Sequence, residues 1–252
     1  MIRVKPMTGW DLNTKYDQKV TKRSKSTVCF KSLATNIYGP AAPITVASWN
    51  TPCKRTALVR AYSDFIIRGL NLQAYAHVMQ SKPSRTIKVV YLSRRSSGKW
   101  PEKKYCGENT FFKCHHWTDS NRKLGRTVKN DEEVIEALKK IETMHFDNNA
   151  GVTIEAIDYG TLDFKDQIRK NLEIDIMIGP HGAGLLHSIF MRDRAVLMEL
   201  FIDGSSGNRH FHNLANWAGK TYIGSVYANP INVKALVEKV VGEIKKIDVS
   251  KY

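Results

Sequence analysis

From about residue 86 onwards, short apolar runs alternate with amphipathic stretches, and this alternation constrains the fold more than any other feature of the sequence. We predict β-strands at the apolar runs, residues 87–92, 152–157, 174–178, 195–201 and 221–227. Helical patterns lie at residues 130–145, 163–171, 209–218 and 233–244. Strands that alternate with helices of about ten residues form βαβ units with right-handed crossovers. The sequence therefore predicts an α/β protein with a Rossmann-like, doubly wound parallel sheet, and we place this domain at residues 86–252.

Residues 1–85 lack this alternation, and we treat them as a separate N-terminal region. Residues 28–30 predict a short strand. Residues 55–69 predict a helix whose apolar side includes Leu58, Tyr62 and Phe65. A second doubly wound domain needs on the order of 100 residues, so this region is too short to form one.

Positive charge is concentrated in the first half of the chain. Residues 1–130 contain 25 Lys and Arg against 6 Asp and Glu, although the whole chain has a net charge of +15. A basic surface is typical of proteins that bind nucleic acid, anionic membranes or phosphorylated substrates, and is equally compatible with a solvated face. The basic runs carry no aromatic ladder for stacking bases, so nucleic-acid binding is an alternative that we do not favour.

The cysteines and the apolar runs exclude several classes of protein. Cys29, Cys53, Cys106 and Cys114 form no C-x-x-C pair and match no zinc spacing, and Cys114-His115-His116 has no second ligand pair, so we predict no metal site. Two disulfides are possible in an oxidising compartment, in any of three connectivities. No apolar run approaches the roughly 18 residues of a membrane span. The first twenty residues lack a secretory-signal pattern.

A glycine-rich turn follows the predicted strand 174–178. Gly179, Gly182 and Gly184, with Ala183, let backbone amides approach a ligand, and the apolar stretch that follows predicts a helix from about Gly184. Amides at the start of a helix suit a phosphate. The spacing G-x-x-G-x-G is neither the dinucleotide fingerprint nor the Walker loop, and a tight turn requires glycine with or without a ligand. Both interpretations, a phosphate site and a simple turn, stay open at this point.

Polar side chains are expected beside this turn, because the carboxyl ends of parallel strands meet at one edge of the sheet. His181, inside the turn, could donate to a pyrophosphate oxygen or act as a base. Glu199, late in the next strand, could accept hydrogen bonds from ribose hydroxyls. Arg94 and Arg95 follow the strand 87–92, and pleat alternation predicts that one of them faces the ligand, where a guanidinium suits a diphosphate.

These residues resemble glycosyltransferase family 61. The likeness is strongest over residues 166–201, which contain the His-Gly-Ala-Gly turn, and extends to residues 28–33, 57–72, 91–95 and 126–138. That family includes plant xylosyl- and arabinosyltransferases and animal O-linked N-acetylglucosaminyltransferases. Where members usually have Thr or Asn after the Gly-Leu of the turn, this chain has Leu186-His187-Ser188.

The resemblance implies a GT-B architecture, in which a C-terminal Rossmann-like domain holds a UDP-sugar and the sugar is transferred with inversion, without a metal or other cofactor. Mapped onto this chain, it places the donor-binding loop at Gly179–Gly184 and diphosphate-binding arginines at Arg94 and Arg126. The implied donor is a UDP-sugar, with UDP-N-acetylglucosamine favoured. The implied acceptor is a Ser/Thr hydroxyl of a protein such as an EGF-like domain, in the lumen of the endoplasmic reticulum or Golgi.

Three alternatives remain at this stage: a pentosyltransferase of the same family acting on glycans, a catalytically inactive nucleotide-sugar-binding fragment, and a basic nucleic-acid-binding protein. We expect residues 1–85 to be the remainder of an acceptor-side domain that is otherwise missing. The general base is then expected to lie largely outside this chain, with His181 as the candidate within it.

Overall fold

The computed structural model of this protein describes residues 4–6, 28–30, 54–81, 86–93, 127–147, 150–202 and 208–249. The chain divides into two compact units, Met1–Thr45 and Val46–Tyr252. In the first unit, β1 (Val4–Pro6) pairs antiparallel with β2 (Val28–Phe30), so the predicted strand at residues 28–30 is confirmed. The division after Thr45 falls N-terminal to the boundary that we predicted after residue 85.

Five parallel strands form the sheet of the second unit, which confirms the predicted fold class. They are β3 (Thr86–Leu92), β4 (Gly151–Ile157), β5 (Ile176–Pro180), β6 (Val196–Phe201) and β7 (Thr221–Val226). Their order in the sheet is β4-β3-β5-β6-β7, and every pairing is parallel. The three central strands β3, β5 and β6 are buried over most or all of their length because helices cover both faces of the sheet, whereas the edge strands β4 and β7 are partly exposed.

Helices cover both faces of this sheet. They are α1 (Ala57–Gly69), α2 (Gln73–Ser81), α3 (Asp131–Lys139), α4 (Phe164–Asn171), α5 (His210–Trp217) and α6 (Val233–Lys246). Helices α3 and α6 pack on one face, and α1, α2, α4 and α5 pack on the other, each in its own buried cluster. Shorter 3-10 helices span Lys140–Thr143, Tyr159–Thr161 and Ala183–Phe190. The helix predicted after the glycine-rich turn is therefore a 3-10 helix.

Helix α1 packs on the core with a side other than its most apolar one. Leu58, Tyr62 and Phe65 are exposed by 75%, 53% and 66%, whereas Ser63 and Ile67 are buried. Ser63 Oγ donates to the carbonyl of Ile189 over 3.4 Å, so the small serine marks the side that approaches the neighbouring 3-10 helix. The helix predicted at residues 55–69 is thus confirmed, and its apolar side remains exposed while a second side packs on the core.

Asn130 and Glu133 have the sequence spacing of a capping box at the start of α3. The helix does begin at Asp131, and Asn130 Nδ2 donates to Glu133 Oε2 over 3.0 Å, but the Asn130 side chain makes no capping bond to the helix backbone. Instead it accepts from the amide of Ile231 and donates to its carbonyl, both over 2.9 Å. In the opposite direction, the Asn229 side chain accepts from the Lys129 amide and donates to the Thr127 carbonyl. Residues 127–130 and 229–231 thus form a reciprocal asparagine clasp.

The strand order defines where a ligand is expected. The chain leaves β3 towards β4 and leaves β5 towards β6, in opposite directions, so the order reverses between β3 and β5. Open α/β sheets bind ligands in the crevice outside the carboxyl ends of the strands at such a point. Here that crevice lies next to Ser93, which follows β3, and His181, which follows β5.

Candidate functional site

Close packing accounts for the first glycine of the turn. A Cβ on Gly179 would lie 3.0 Å from Leu92 Cβ and 3.2 Å from Leu185 Cδ2, so β5 can approach β3 and the following 3-10 helix only with glycine here. At Gly184 a Cβ would meet Leu92 and Tyr159 at 3.4 Å, which is ordinary contact. Gly179 is therefore required by the fold, whereas the structure does not require glycine at position 184.

His181 is held rigidly at the carboxyl edge of the sheet. Its amide donates to the carbonyl of Leu200 over 3.0 Å, which extends the β5–β6 ladder by one residue. The imidazole is buried, lies nearly parallel to the ring of Phe201 and meets Phe211 edge to face at 5.2 Å. Its two nitrogens have different partners, because Nδ1 pairs with Glu199 Oε1 and Nε2 lies 3.3 Å from Asn208 Nδ2. A carboxylate on Nδ1 keeps a proton there and directs Nε2 towards the ligand side.

Glu199 is fully buried beneath His181, and both of its carboxylate oxygens are engaged. Oε1 pairs with the imidazole, and Oε2 accepts from the Tyr222 hydroxyl over 2.6 Å. The residue opposite Glu199 on β7 is Gly224, and a Cβ there would lie 2.8 Å from the Tyr222 oxygen. Gly224 thus leaves the space through which the tyrosine reaches the carboxylate. We call this arrangement the His181–Glu199–Tyr222 chain. A contact between Glu199 and a ribose stays a prediction.

The pKa values of Tyr222 and of the neighbouring His210 are shifted by burial and by nearby polar groups. Burial raises the pKa of the Tyr222 hydroxyl, and the hydrogen bond to Glu199 raises it further, so the tyrosine remains a donor. Burial lowers the pKa of His210, and the nearby charge of His181 lowers it further, while Glu199 opposes both effects. Sequence reasoning identified His181 and Glu199 but missed Tyr222 and Asn208.

The rest of the turn presents backbone to the crevice. Ala183 is exposed, and the amide of Leu185 donates to the carbonyl of Gly182 over 3.0 Å as the 3-10 helix begins. Within the part of the chain that the structure describes, no side chain caps this helix. An uncapped helix start leaves its first amides available for an anion, although a 3-10 helix of eight residues has a weaker dipole than the α-helix we predicted.

His187 hydrogen-bonds to the backbone of the glycine-rich turn. It stands where the sequence departs from the family pattern. Its Nδ1 donates to the carbonyl of Gly184 over 3.1 Å, and its ring lies against Tyr159, with 4.6 Å between ring centroids. Burial lowers the pKa of His187, and the bond to Gly184 only partly opposes this, so the ring is neutral. Its Nε2 is buried and has no hydrogen-bond partner among the described residues.

A second polar cluster anchors the carboxyl end of β3. Asp131 accepts from the hydroxyls of Tyr91 and Ser93, each over 2.7 Å, and so ties the start of α3 to the crevice. This cluster was not predicted from the sequence. Arg94 and Arg126, the two predicted diphosphate anchors, lie outside the described residues, and their roles stay predictions.

Two further observations concern the described residues as a whole. They contain no group of three or more His, Cys, Asp or Glu side chains that could hold a metal ion. None of their helices is long and apolar enough to cross a membrane. At the opposite edge of the sheet, Asp175 pairs with Arg192 over 3.2 Å and accepts from the Lys88 amide.

A doubly wound parallel sheet with a glycine-rich turn and a buried histidine–carboxylate pair at its switch point is a Rossmann-like domain. Sequence comparison identifies the family to which the domain belongs. The family model for Glycosyltransferase 61 matches residues 37–198, and the chain belongs to this family. The matched region contains His181 and most of the sheet.

Several relatives are named EGF domain-specific O-linked N-acetylglucosamine transferase. The protein from Canis lupus familiaris is 29% identical over 224 residues, covering 85% of this chain and 34% of the relative. The Drosophila melanogaster protein is 28% identical over 69% of this chain and 26% of its own length. The Xenopus laevis protein is 33% identical, again over 69% of this chain and 26% of its own length. The chain thus spans about a third of the length of the relatives it matches.

Proposed function

We propose that this chain forms the donor-binding part of a glycosyltransferase that uses a UDP-sugar, with UDP-N-acetylglucosamine as the favoured donor. The acceptor is a Ser/Thr hydroxyl of an extracellular protein domain such as an EGF-like domain, since the relatives carry that specificity in their names. Transfer is inverting and independent of metal, and takes place in the lumen of the endoplasmic reticulum or Golgi.

The observation that carries this proposal is the His181–Glu199–Tyr222 chain beside the glycine-rich turn. When a sugar is transferred, the departing diphosphate gathers negative charge, and an enzyme without a metal needs preorganised donors at that place. Glu199 holds the imidazole of His181 through Nδ1 and so fixes the orientation of the ring. His181 Nε2 and the amides of the turn then face the diphosphate together.

His181 is assigned to the leaving diphosphate and not to the acceptor hydroxyl. The residue stands in the turn that receives the donor, whereas a general base for inverting transfer must approach the sugar from the face opposite the leaving group. Asn208, 3.3 Å from Nε2, helps to orient the imidazole before the donor binds. Arg94 and Arg126 are proposed to supply further positive charge at the same diphosphate.

Calorimetric titration of the chain with UDP, UMP and uridine in EDTA tests the proposal. His181→Ala is expected to weaken UDP binding by about 1.5–3 kcal/mol, the range for a hydrogen bond to a charged group, and to leave uridine binding nearly unchanged. Arg94→Ala is expected to act in the same way. His145→Ala is the matched control, because His145 is an exposed histidine that precedes β4.

The possible outcomes separate the parts of the proposal. Binding of UDP only in the presence of manganese would contradict metal-independent binding. Equal losses for UDP and uridine in His181→Ala would mean that the turn itself had collapsed. If His181→Ala keeps the UDP affinity of the native chain, His181 does not contact the diphosphate and our assignment is wrong.

A further inference from the structure

A cavity of about 320 Å³ lies at the amino-terminal edge of the sheet, opposite the glycine-rich turn. It is enclosed by the first turns of α1, by the residues that precede β6, and by the segment between α5 and β7. Its apolar wall includes Ile67, Phe190 and Trp217. Nothing in the proposed transfer of a sugar uses this edge of the sheet.

Lys220 lies in the wall of this cavity and is buried, with a side chain only 3% exposed. Its Nζ donates to the carbonyls of Met191 and Arg192, each over 2.7 Å. An ammonium group has three donors, so the two carbonyls leave one direction for a further partner. The nearest carboxylate, that of Asp193, is 3.7 Å away and is itself 78% exposed, which makes it a loose partner.

Two arginines line the same cavity. Arg55 and Arg60 lie near enough to Lys220 to affect its pKa. Burial is the main cause that lowers this pKa, to about 8; the interaction with Asp193 opposes it, and the smaller effects of Arg60 and Arg55 add to the lowering. Three cations therefore share the cavity with two carboxylates, those of Asp64 and Asp193. The side chains that line the cavity thus carry a net positive charge, which attracts an anion.

Arg55 is held in place by the fold. Its backbone is in the left-handed region, with φ of 56°, and its amide donates to the carbonyl of Asn216 over 3.0 Å. Its side chain crosses Gly219, where a Cβ would lie 2.7 Å from Arg55 Cγ. A non-glycine residue in this region is uncommon and tends to mark a functional position. The first turn of α1, with Thr56 and Ala57 in the cavity wall, adds the positive end of a 13-residue helix.

We propose that this cavity binds a small molecule with an oxyanion, phosphate or carboxylate, carried on an apolar or aromatic group. Lys220, Arg55 and Arg60 contact the oxyanion, and the side chains of Phe190 and Trp217 contact the apolar group. The site is separate from the glycine-rich turn, so its ligand and UDP bind at the same time.

Calorimetric titration of the full chain with phenyl phosphate, benzoate, phenol and inorganic phosphate tests this proposal. We expect saturable binding of phenyl phosphate or benzoate and much weaker binding of phenol and inorganic phosphate, since each of these two lacks half of the recognised chemistry. Tighter binding of phenyl phosphate identifies a phosphorylated ligand, and tighter binding of benzoate a carboxylate. Saturating UDP is expected to leave these affinities unchanged.

Variants make the assignment specific. Lys220→Met and Arg60→Gln are each expected to weaken binding of the preferred anion by about ten-fold or more, as the loss of a charge-assisted hydrogen bond requires. Arg60 is exposed, so its variant keeps the fold even if Lys220→Met does not. Lys234→Met removes an exposed lysine on α6 and is the control. Phenol binding as tightly as the anions, displacement by UDP, or equal losses in Lys234→Met would overturn the proposal.

Discussion

Replacing Tyr222 by phenylalanine removes a single hydroxyl from a buried carboxylate. Glu199 is fully buried, and Tyr222 is its donor at Oε2, over 2.6 Å. A hydrogen bond to a charged group contributes about 1.5–3 kcal/mol, and a buried acceptor left without its donor loses that amount. We therefore expect Tyr222→Phe to lower the free energy of unfolding by about 2 kcal/mol.

Urea unfolding of four proteins measures this interaction: the native chain, Tyr222→Phe, Glu199→Gln and the double variant. In the Glu199→Gln background the acceptor is a neutral amide, so loss of the hydroxyl is expected to cost only about 0.5–1.5 kcal/mol. Tyr227→Phe is the control, because Tyr227 directly follows the same strand and bonds to Ser225 instead of a buried charge. A cost no greater than that of the control, or one unchanged by Glu199→Gln, would refute the reasoning.

Three further predictions concern other parts of the second unit. Gly179→Ala is expected to destabilise the protein by about 1–3 kcal/mol because its Cβ overpacks the leucine at the end of β3. Gly184→Ala is expected to change stability by less than about 0.5 kcal/mol. Thermal unfolding compares the two variants, and equal costs would contradict the packing argument. Asn130→Ala is expected to lower the free energy of unfolding by about 2 kcal/mol, because it leaves a buried backbone amide and carbonyl unpaired. A loss below about 0.5 kcal/mol in urea unfolding would show that the clasp does not stabilise the fold. Since the pKa of Lys220 is lowered to about 8, the unfolded chain binds more protons above that pH, and the stability of the native chain relative to Lys220→Met is expected to rise between pH 8 and 10. At about 1.4 kcal/mol per pKa unit the rise approaches 2–3 kcal/mol, while Lys234→Met shows none; a flat difference would mean that the buried lysine is not titrating there.

The strands and the position of the site could be predicted from the sequence because both depend on local patterns. Central strands of a parallel sheet are buried on both faces and therefore stand out as apolar runs, and the glycine-rich turn marks the end of one of them. His181 and Glu199 follow from that register. Tyr222 could not be found in this way, because its contact with Glu199 crosses between strands over Gly224 and depends on the exact pairing of β6 with β7.

Local patterns also misled where distant groups compete for the same side chain. Asn130 and Glu133 have the spacing of a capping box, yet the asparagine amide is engaged by the backbone of Ile231, far along the chain. Helix α1 shows a related limit, because its periodicity reveals an apolar side that includes Leu58 but does not reveal which side packs on the core. In both cases tertiary contacts outweigh a local preference that is weak in energy.

The asparagine clasp has a consequence for how the domain opens. Amides in connecting segments usually exchange with solvent hydrogen quickly, because small local fluctuations expose them. The amides of Lys129 and Ile231 are each bonded to an asparagine side chain of the other segment, so neither can open until residues 127–130 separate from residues 229–231. These two amides should therefore exchange as slowly as those of the central strands. The clasp then belongs to the same cooperative unit as the sheet and holds the start of α3, with Asp131, in register with the crevice.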